Sequence, residues 1–161
     1  MIITGFQLRA SRKVLNCTLE ELSHSTGVSK ITISRLESTT DNLQDISCSA
    51  KDAENLYNYF TDKKLLYSNK NTISLDVDID YKPIEENLTK FQFIVARVIC
   101  RTSQRLLSKQ LGIHYNTIYR LEKTDNTYYL DTKKEDIVHF IHFFQKMNIS
   151  FPNNKSVFLG I

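Results

Sequence analysis

The hexapeptide TISRLE at residues 32–37 returns as TIYRLE at residues 117–122. The shift between them, 117 minus 32, is 85 residues, and the same shift aligns residues 4–37 with 89–122 without a gap. Of those 34 positions 12 are identical: Thr4/Thr89, Phe6/Phe91, Gln7/Gln92, Arg12/Arg97, Leu22/Leu107, Ser23/Ser108, Gly27/Gly112, Thr32/Thr117, Ile33/Ile118, Arg35/Arg120, Leu36/Leu121 and Glu37/Glu122. Unrelated segments would share about two. With one residue dropped the tails align as well, Leu56 with Phe140, Phe60 with Phe144, Tyr67 with Phe151 and Leu75 with Leu159. A duplication of this extent constrains the fold more than any other feature, because each structure proposed for one half must also serve the other. About eighty residues are enough for a small helical core.

Both copies carry the same helix signals. Thr4-x-x-Gln7 and Thr89-x-x-Gln92 have the capping-box pattern, in which a hydroxyl accepts from an orphan helix N–H and the glutamine reaches back. They predict a first helix ending near Asn16 and Arg101. Thr18-x-x-Glu21 and the matching Ser103 open a second helix that buries Leu22 or Leu107. Gly27 or Gly112 follows, suited to the positive φ of a tight turn. A third helix then runs from Ser29 or His114 and packs Ile33 with Leu36, or Ile118 with Leu121, at i, i+3 spacing. Two helices joined by a glycine-containing turn make a helix-turn-helix unit.

Ser49-x-x-Asp52 and Thr132-x-x-Glu135 predict a longer helix over residues 50–63 and 133–147, with room for a short helix before it. TISLDVDI then alternates Ile73, Leu75, Val77 and Ile79 with polar residues, the period of a strand, and SVFLGI closes the second copy similarly. DYKPIEEN, residues 80–87, reads as a linker between domains at 1–79 and 88–161. The expected fold is mainly α, two tandem helix-turn-helix domains of four to five helices, each followed by a short β-strand.

The order Phe-Gln, Arg, helix cap, Leu-Ser, Gly-Val or Gly-Ile, then Thr-Ile-x-Arg-Leu-Glu resembles the Cro/C1-type (XRE) helix-turn-helix family of DNA-binding regulators, and both copies match it over the length of the motif. The resemblance implies lambda-repressor-like domains and double-stranded DNA as partner. It implies an ion pair tying the first helix to the end of the third, here Arg12 with Glu37 and Arg97 with Glu122. It also implies that Gln104, at the start of helix two, touches phosphate; Leu19 holds that place in the first copy. The branch with a helix running into a strand commonly has glycine where this chain has Lys64 and Asn148.

In such a unit the third helix lies in the major groove. Its outward positions are Ser29, Lys30, Ile31, Ser34 and Arg35 in the first copy, and His114, Tyr115, Asn116, Tyr119 and Arg120 in the second. Asn116 can donate to and accept from adenine, and Arg35 or Arg120 can fork onto guanine. Tyr115 and Tyr119 could stack on bases, meet thymine methyls or meet a protein partner. The competing reading is an interaction module, in which the first copy has turned from DNA to protein.

Residues 1–84 carry 10 basic and 11 acidic side chains, residues 85–161 carry 11 and 7, so the net charges are −1 and +4 and sum to +3. The cationic half is the second. The three cysteines, Cys17, Cys48 and Cys100, have no C-x-x-C spacing, which argues against a disulfide framework or zinc knuckle and fits a reducing cytoplasm. There is no apolar run of membrane-spanning length. His139 and His142 are three apart on a helix, but beside Phe140, Phe143 and Phe144 they read as rim residues instead of metal ligands. No phosphate-cradling loop, nucleophile elbow, carboxylate pair or cofactor motif is present, so neither an enzyme nor a cofactor is expected. Apolar strand edges invite pairing, within the chain or across a homodimer.

Overall fold

Each copy of the repeat begins on a helix whose first turn is closed by the shared Thr and Gln. In a computed structural model describing residues 3–160, the chain divides into two helix-rich units, the first reaching Asp76 and the second starting at Val77. The first contains helices α1 (Gly5–Val14), α2 (Leu19–Thr26), α3 (Lys30–Glu37) and α4 (Ala50–Asp62), then strands β1 (Leu65–Leu66) and β2 (Thr72–Leu75). The second has a 3-10 turn at Ile84–Glu86, helices α5 (Lys90–Ile99), α6 (Gln104–Leu111), α7 (Tyr115–Leu121) and α8 (Lys134–Gln145), and strands β3 (Ile149–Ser150) and β4 (Ser156–Leu159). No helix among the described residues is long and apolar enough to cross a membrane.

The shared polar residues explain how each unit closes. Thr89 N–H donates to Gln92 Oε1 at 3.0 Å while Thr89 Oγ1 accepts from Gln92 N–H at 3.3 Å; in the first copy Thr4 N–H donates to Gln7 Oε1 at 2.9 Å. The other end of each glutamine pins the hairpin. Gln7 Nε2 donates to Asn69 O and Thr72 O at 2.7 and 2.8 Å, and Gln92 Nε2 donates to Asn153 O and Ser156 O at 2.6 and 3.3 Å. Both glutamines are buried, where leaving either end unpaired would be costly. A single side chain thus caps the first helix and holds the hairpin that ends the unit.

Three turns in each unit have left-handed backbone at matched places. Gly27 and Gly112, at φ 72° and 66°, end α2 and α6 and set the direction of the next helix. Asn16 and Arg101, at φ 51° and 52°, lie just beyond α1 and α5, where the sequence places the first helix ends. Lys64 and Asn148 also have positive φ, 66° and 58°, and turn α4 and α8 into their hairpins. β1 pairs antiparallel with β2 through Leu65 with Leu75, and β3 with β4 through Ile149 with Leu159.

The cores hold the repeated apolar positions. Phe6, Leu22, Ile33, Leu56 and Phe60 are fully buried in the first unit, as are Phe91, Leu107, Ile118, Phe140 and Phe144 in the second. Phe93 adds edge contacts in the second, its ring centroid 4.7 Å from Phe140 and 6.0 Å from Phe144. Edge-to-face packing of this kind adds to simple burial. His139 and His142 stand exposed on α8.

Several expectations need correction. No helix forms between α3 and α4 or between α7 and α8; each connection instead bridges back to the residue that caps the first α-helix of its unit, Asp45 to Thr4 and Tyr129 to Thr89. Thr132 does not cap α8. Its hydroxyl donates to Asp136 Oδ2 at 2.8 Å, and Lys133 takes the N-cap position without a side-chain bond. The strand expected over residues 73–79 stops at Leu75, where Asp76 N–H turns back to Lys64 O at 2.8 Å. Residues 80–87 are bound within the second unit, Tyr129 Oη donating to Asp80 O at 2.5 Å and Lys134 pairing with Glu86 at 2.5 Å. Ile161, the last residue of SVFLGI, lies outside the described residues.

Lysine at a left-handed position stores more steric cost than asparagine or glycine would. Lys64→Gly is therefore expected to stabilise the chain by about 0.5–1 kcal/mol, the relief exceeding the extra unfolded-state entropy of glycine. Asn148→Gly should give a smaller change. Urea denaturation followed by circular dichroism checks both; a loss of stability in Lys64→Gly would contradict the strain.

Candidate nucleic-acid interface

The outward face of the third helix in each unit is positioned by a buried ion pair behind it. Arg12, in the last turn of α1, donates from Nε and Nη2 to the two carboxylate oxygens of Glu37, both at 2.6 Å, and from Nη1 to Cys17 O at 2.9 Å. Arg97 repeats this with Glu122 at 2.5 and 2.7 Å and with Thr102 O at 2.9 Å. Their guanidinium and carboxylate groups are about nine-tenths removed from solvent. Glu37 holds the Arg12 guanidinium above its ordinary pKa, against the opposing effect of burial. Each arginine therefore joins the end of the first helix, the first loop and the end of the third helix.

Gln104 belongs to this arrangement. Its Nε2 donates to Glu122 Oε2 at 2.8 Å, so the amide nitrogen expected at a phosphate is committed to the ion pair. Arg35 and Arg120, expected at guanines, are likewise engaged. Arg35 Nη2 donates to Ser47 O at 2.9 Å; Arg120 Nη2 donates to Asp131 O at 3.0 Å and its Nη1 lies 3.4 Å from Asp131 Oδ2. Ser47 and Asp131 occupy matching places in the tail alignment. Both arginines thus hold the connection that follows their own helix. The Arg120–Asp131 ion pair is exposed, and such pairs add little to stability.

The remaining positions differ between copies. Ser29 Oγ caps α3 by accepting from Thr32 N–H at 3.1 Å, and His114 Nδ1 caps α7 by accepting from Asn116 N–H at 3.2 Å. Lys30 reaches across to Glu20 at 2.8 Å, holding that exposed carboxyl below its usual range. Ile31 is 83% exposed, and Ser34 is exposed beside it. On α7, Asn116 is exposed, and Tyr115 and Tyr119 lie together with ring centroids 6.1 Å apart and a 31° tilt.

Cations accompany the tyrosines. The Arg105 guanidinium stands 5.6 Å from the Tyr115 ring centroid, and Lys123 Nζ stands 4.9 Å from that of Tyr119. With Lys109, also exposed, they make a basic margin along α6 and α7. The matching positions of the first unit are Glu20, His24 and Ser38. Arg105, Lys109 and Lys123 were not singled out from the sequence, although the repeat alignment contains the signal: a basic residue in the second copy stands against Glu20, His24 or Ser38 in the first. No family model, curated protein or solved structure matches the chain.

Removing one partner of a buried ion pair leaves the other charged and unpaired, a loss of about 3–5 kcal/mol. Arg97→Ala and Arg12→Ala should each lower stability by about that amount. Gln104→Ala should cost less, about 1.5–3 kcal/mol, through one lost bond to a charged group. Replacing Arg97 and Glu122 together with Met and Leu should recover much of the single-variant loss. Urea denaturation of the four variants checks the order; equal losses for the double and single changes would remove the ion pair from its place.

Proposed function

We propose that the chain is a sequence-specific double-stranded DNA-binding transcriptional regulator of two tandem helix-turn-helix domains, in which α7 of the second unit enters the major groove. The observation that carries this reading is the charge exchange on matched surfaces. Arg105, Lys109 and Lys123 border the exposed face of α7, where the first unit has Glu20, His24 and Ser38 beside α3. Phosphate recognition requires fixed cations at the borders of the reading helix, and base recognition requires exposed side chains between them. The second unit meets both requirements. The resemblance of both copies to the Cro/C1-type family supports the same reading, as does the turn formed by Gly112 between α6 and α7.

The first unit favours a different role. Glu20 and Glu21 repel phosphate, Lys30 is neutralised by Glu20, and Ile31 is the most exposed of the large apolar side chains described. We propose that this unit docks protein instead of reading bases, a second copy of the chain being one such partner. Homodimerisation would bring two second units onto half-sites spaced about 34 Å apart. Three unpaired cysteines suit a reducing cytoplasm. The chemistry of the face is recognition, with no catalytic group assigned.

Fluorescence anisotropy with labelled random-sequence duplex tests this reading. Association should weaken steeply with salt, with a log–log slope of about −3 if three to four phosphates are neutralised. Arg105→Glu with Lys109→Glu should abolish it, and Lys30→Ala with Arg35→Ala should leave it nearly unchanged. Absence of duplex binding at low salt, or equal loss from both pairs of changes, would refute the assignment to the second unit.

A further inference from the structure

The side chains of α7 that could contact bases have a particular chemistry once the engaged ones are set aside. Arg120, the residue type that forks onto guanine, is held by the backbone and carboxylate of Asp131. Gln104 is held by Glu122. What α7 presents outward is Tyr115, Asn116 and Tyr119. We propose that the second unit selects A·T pairs, with Asn116 on adenine and the edges of the tyrosine pair against thymine 5-methyl groups. This inference rests on the duplex-reading function above.

Three features favour thymine over other targets. An A·T pair presents to the major groove the N6 and N7 of adenine, which suit an amide, beside the only methyl group in the groove, which suits a ring edge. Each tyrosine carries a cation over one ring face, Arg105 on Tyr115 and Lys123 on Tyr119, which reduces the area open to face stacking and favours contact through the ring edges. A platform for unpaired bases needs accessible ring faces. Finally, the cations that hold the rings also supply the positive charge of the flanking surface, so the aromatic contact and the phosphate contact are set by the same four side chains. The first unit has Lys30 and Ser34 where the second has Tyr115 and Tyr119, and lacks this arrangement entirely.

The test begins with selection of bound sequences from random duplex by the full chain, followed by replacement of each thymine in the selected duplex by deoxyuridine, which removes only the methyl group. An A·T-rich core is expected, with affinity falling about fourfold for each methyl that is buried. Tyr119→Ala should abolish the thymine preference at one position, while Tyr119→Phe should keep it, because the ring edge and not the hydroxyl makes the contact. Circular dichroism should be unchanged in both, since Tyr119 is 43% exposed. A selected core of G·C pairs, equal binding of thymine and deoxyuridine duplexes, or a preference that survives Tyr119→Ala and Tyr115→Ala would overturn this inference and leave duplex binding standing. Tighter binding to single strands, or no binding to any duplex, would overturn the underlying function with it.

Discussion

Arg12 and Arg97 occupy the places where three separate stretches of chain must converge. The end of the first helix carries the arginine, the end of the third carries the glutamate, and the loop between the first and second helices supplies a backbone carbonyl. Because a guanidinium is planar and its donors are fixed in direction, satisfying these acceptors determines the relation of the first and third helices to within a narrow range. The pair need not contribute much net stability over an apolar core of the same shape, since desolvation offsets most of the attraction. Its contribution is orientation. The outward face of α3 or α7 is aimed by what is buried behind it.

That constraint explains why the two copies agree where they do. The identities Thr4/Thr89 and Gln7/Gln92 cap the first helix and hold the hairpin, Arg12/Arg97 and Glu37/Glu122 form the ion pair, and Gly27/Gly112 sets the turn. Phe6, Leu22, Ile33 and Leu36 fill the core with their counterparts. Arg35 and Arg120 belong with these scaffold positions, each bonded to the carbonyl that follows its helix. The positions that face outward, 29, 30, 31 and 34 against 114, 115, 116 and 119, are different in every case. Duplication kept the parts that position the face and altered the face itself.

The helices were legible because their signals are local. A capping hydroxyl, a glutamine or glutamate three residues on, and an i, i+3 apolar stripe lie within one or two turns, so Thr18, Ser29, Ser49 and Ser103 marked helix starts correctly. Thr132 misled because the hydroxyl has an alternative partner in Asp136, and the backbone then enters the helix one residue later. The two-residue strands β1 and β3 were not legible, since Leu65 and Ile149 become strand only by pairing with residues ten positions away. Gln104 and Arg120 show a related limit: a polar side chain at an outward helical position can bend back to a partner distant in sequence, here Glu122 and Asp131. No periodicity records that choice.

The same distinction separates the two faces. In the first unit Lys30 has an acidic neighbour at Glu20 and is drawn to it; in the second, Arg105 stands at that place and Tyr115 stands where Lys30 was, so the charge lies over an aromatic ring. An ion pair cancels the charge that phosphate would see, whereas a cation over a ring keeps its full charge and is only held in position. Exchanging Glu20 for Arg105 therefore changes more than the count of charges. It converts a lysine that is locally neutralised into a pair of side chains, one apolar and one cationic, that remain available together. The two outward faces therefore differ in charge and in aromatic character, while the buried ion pairs that aim them stay the same.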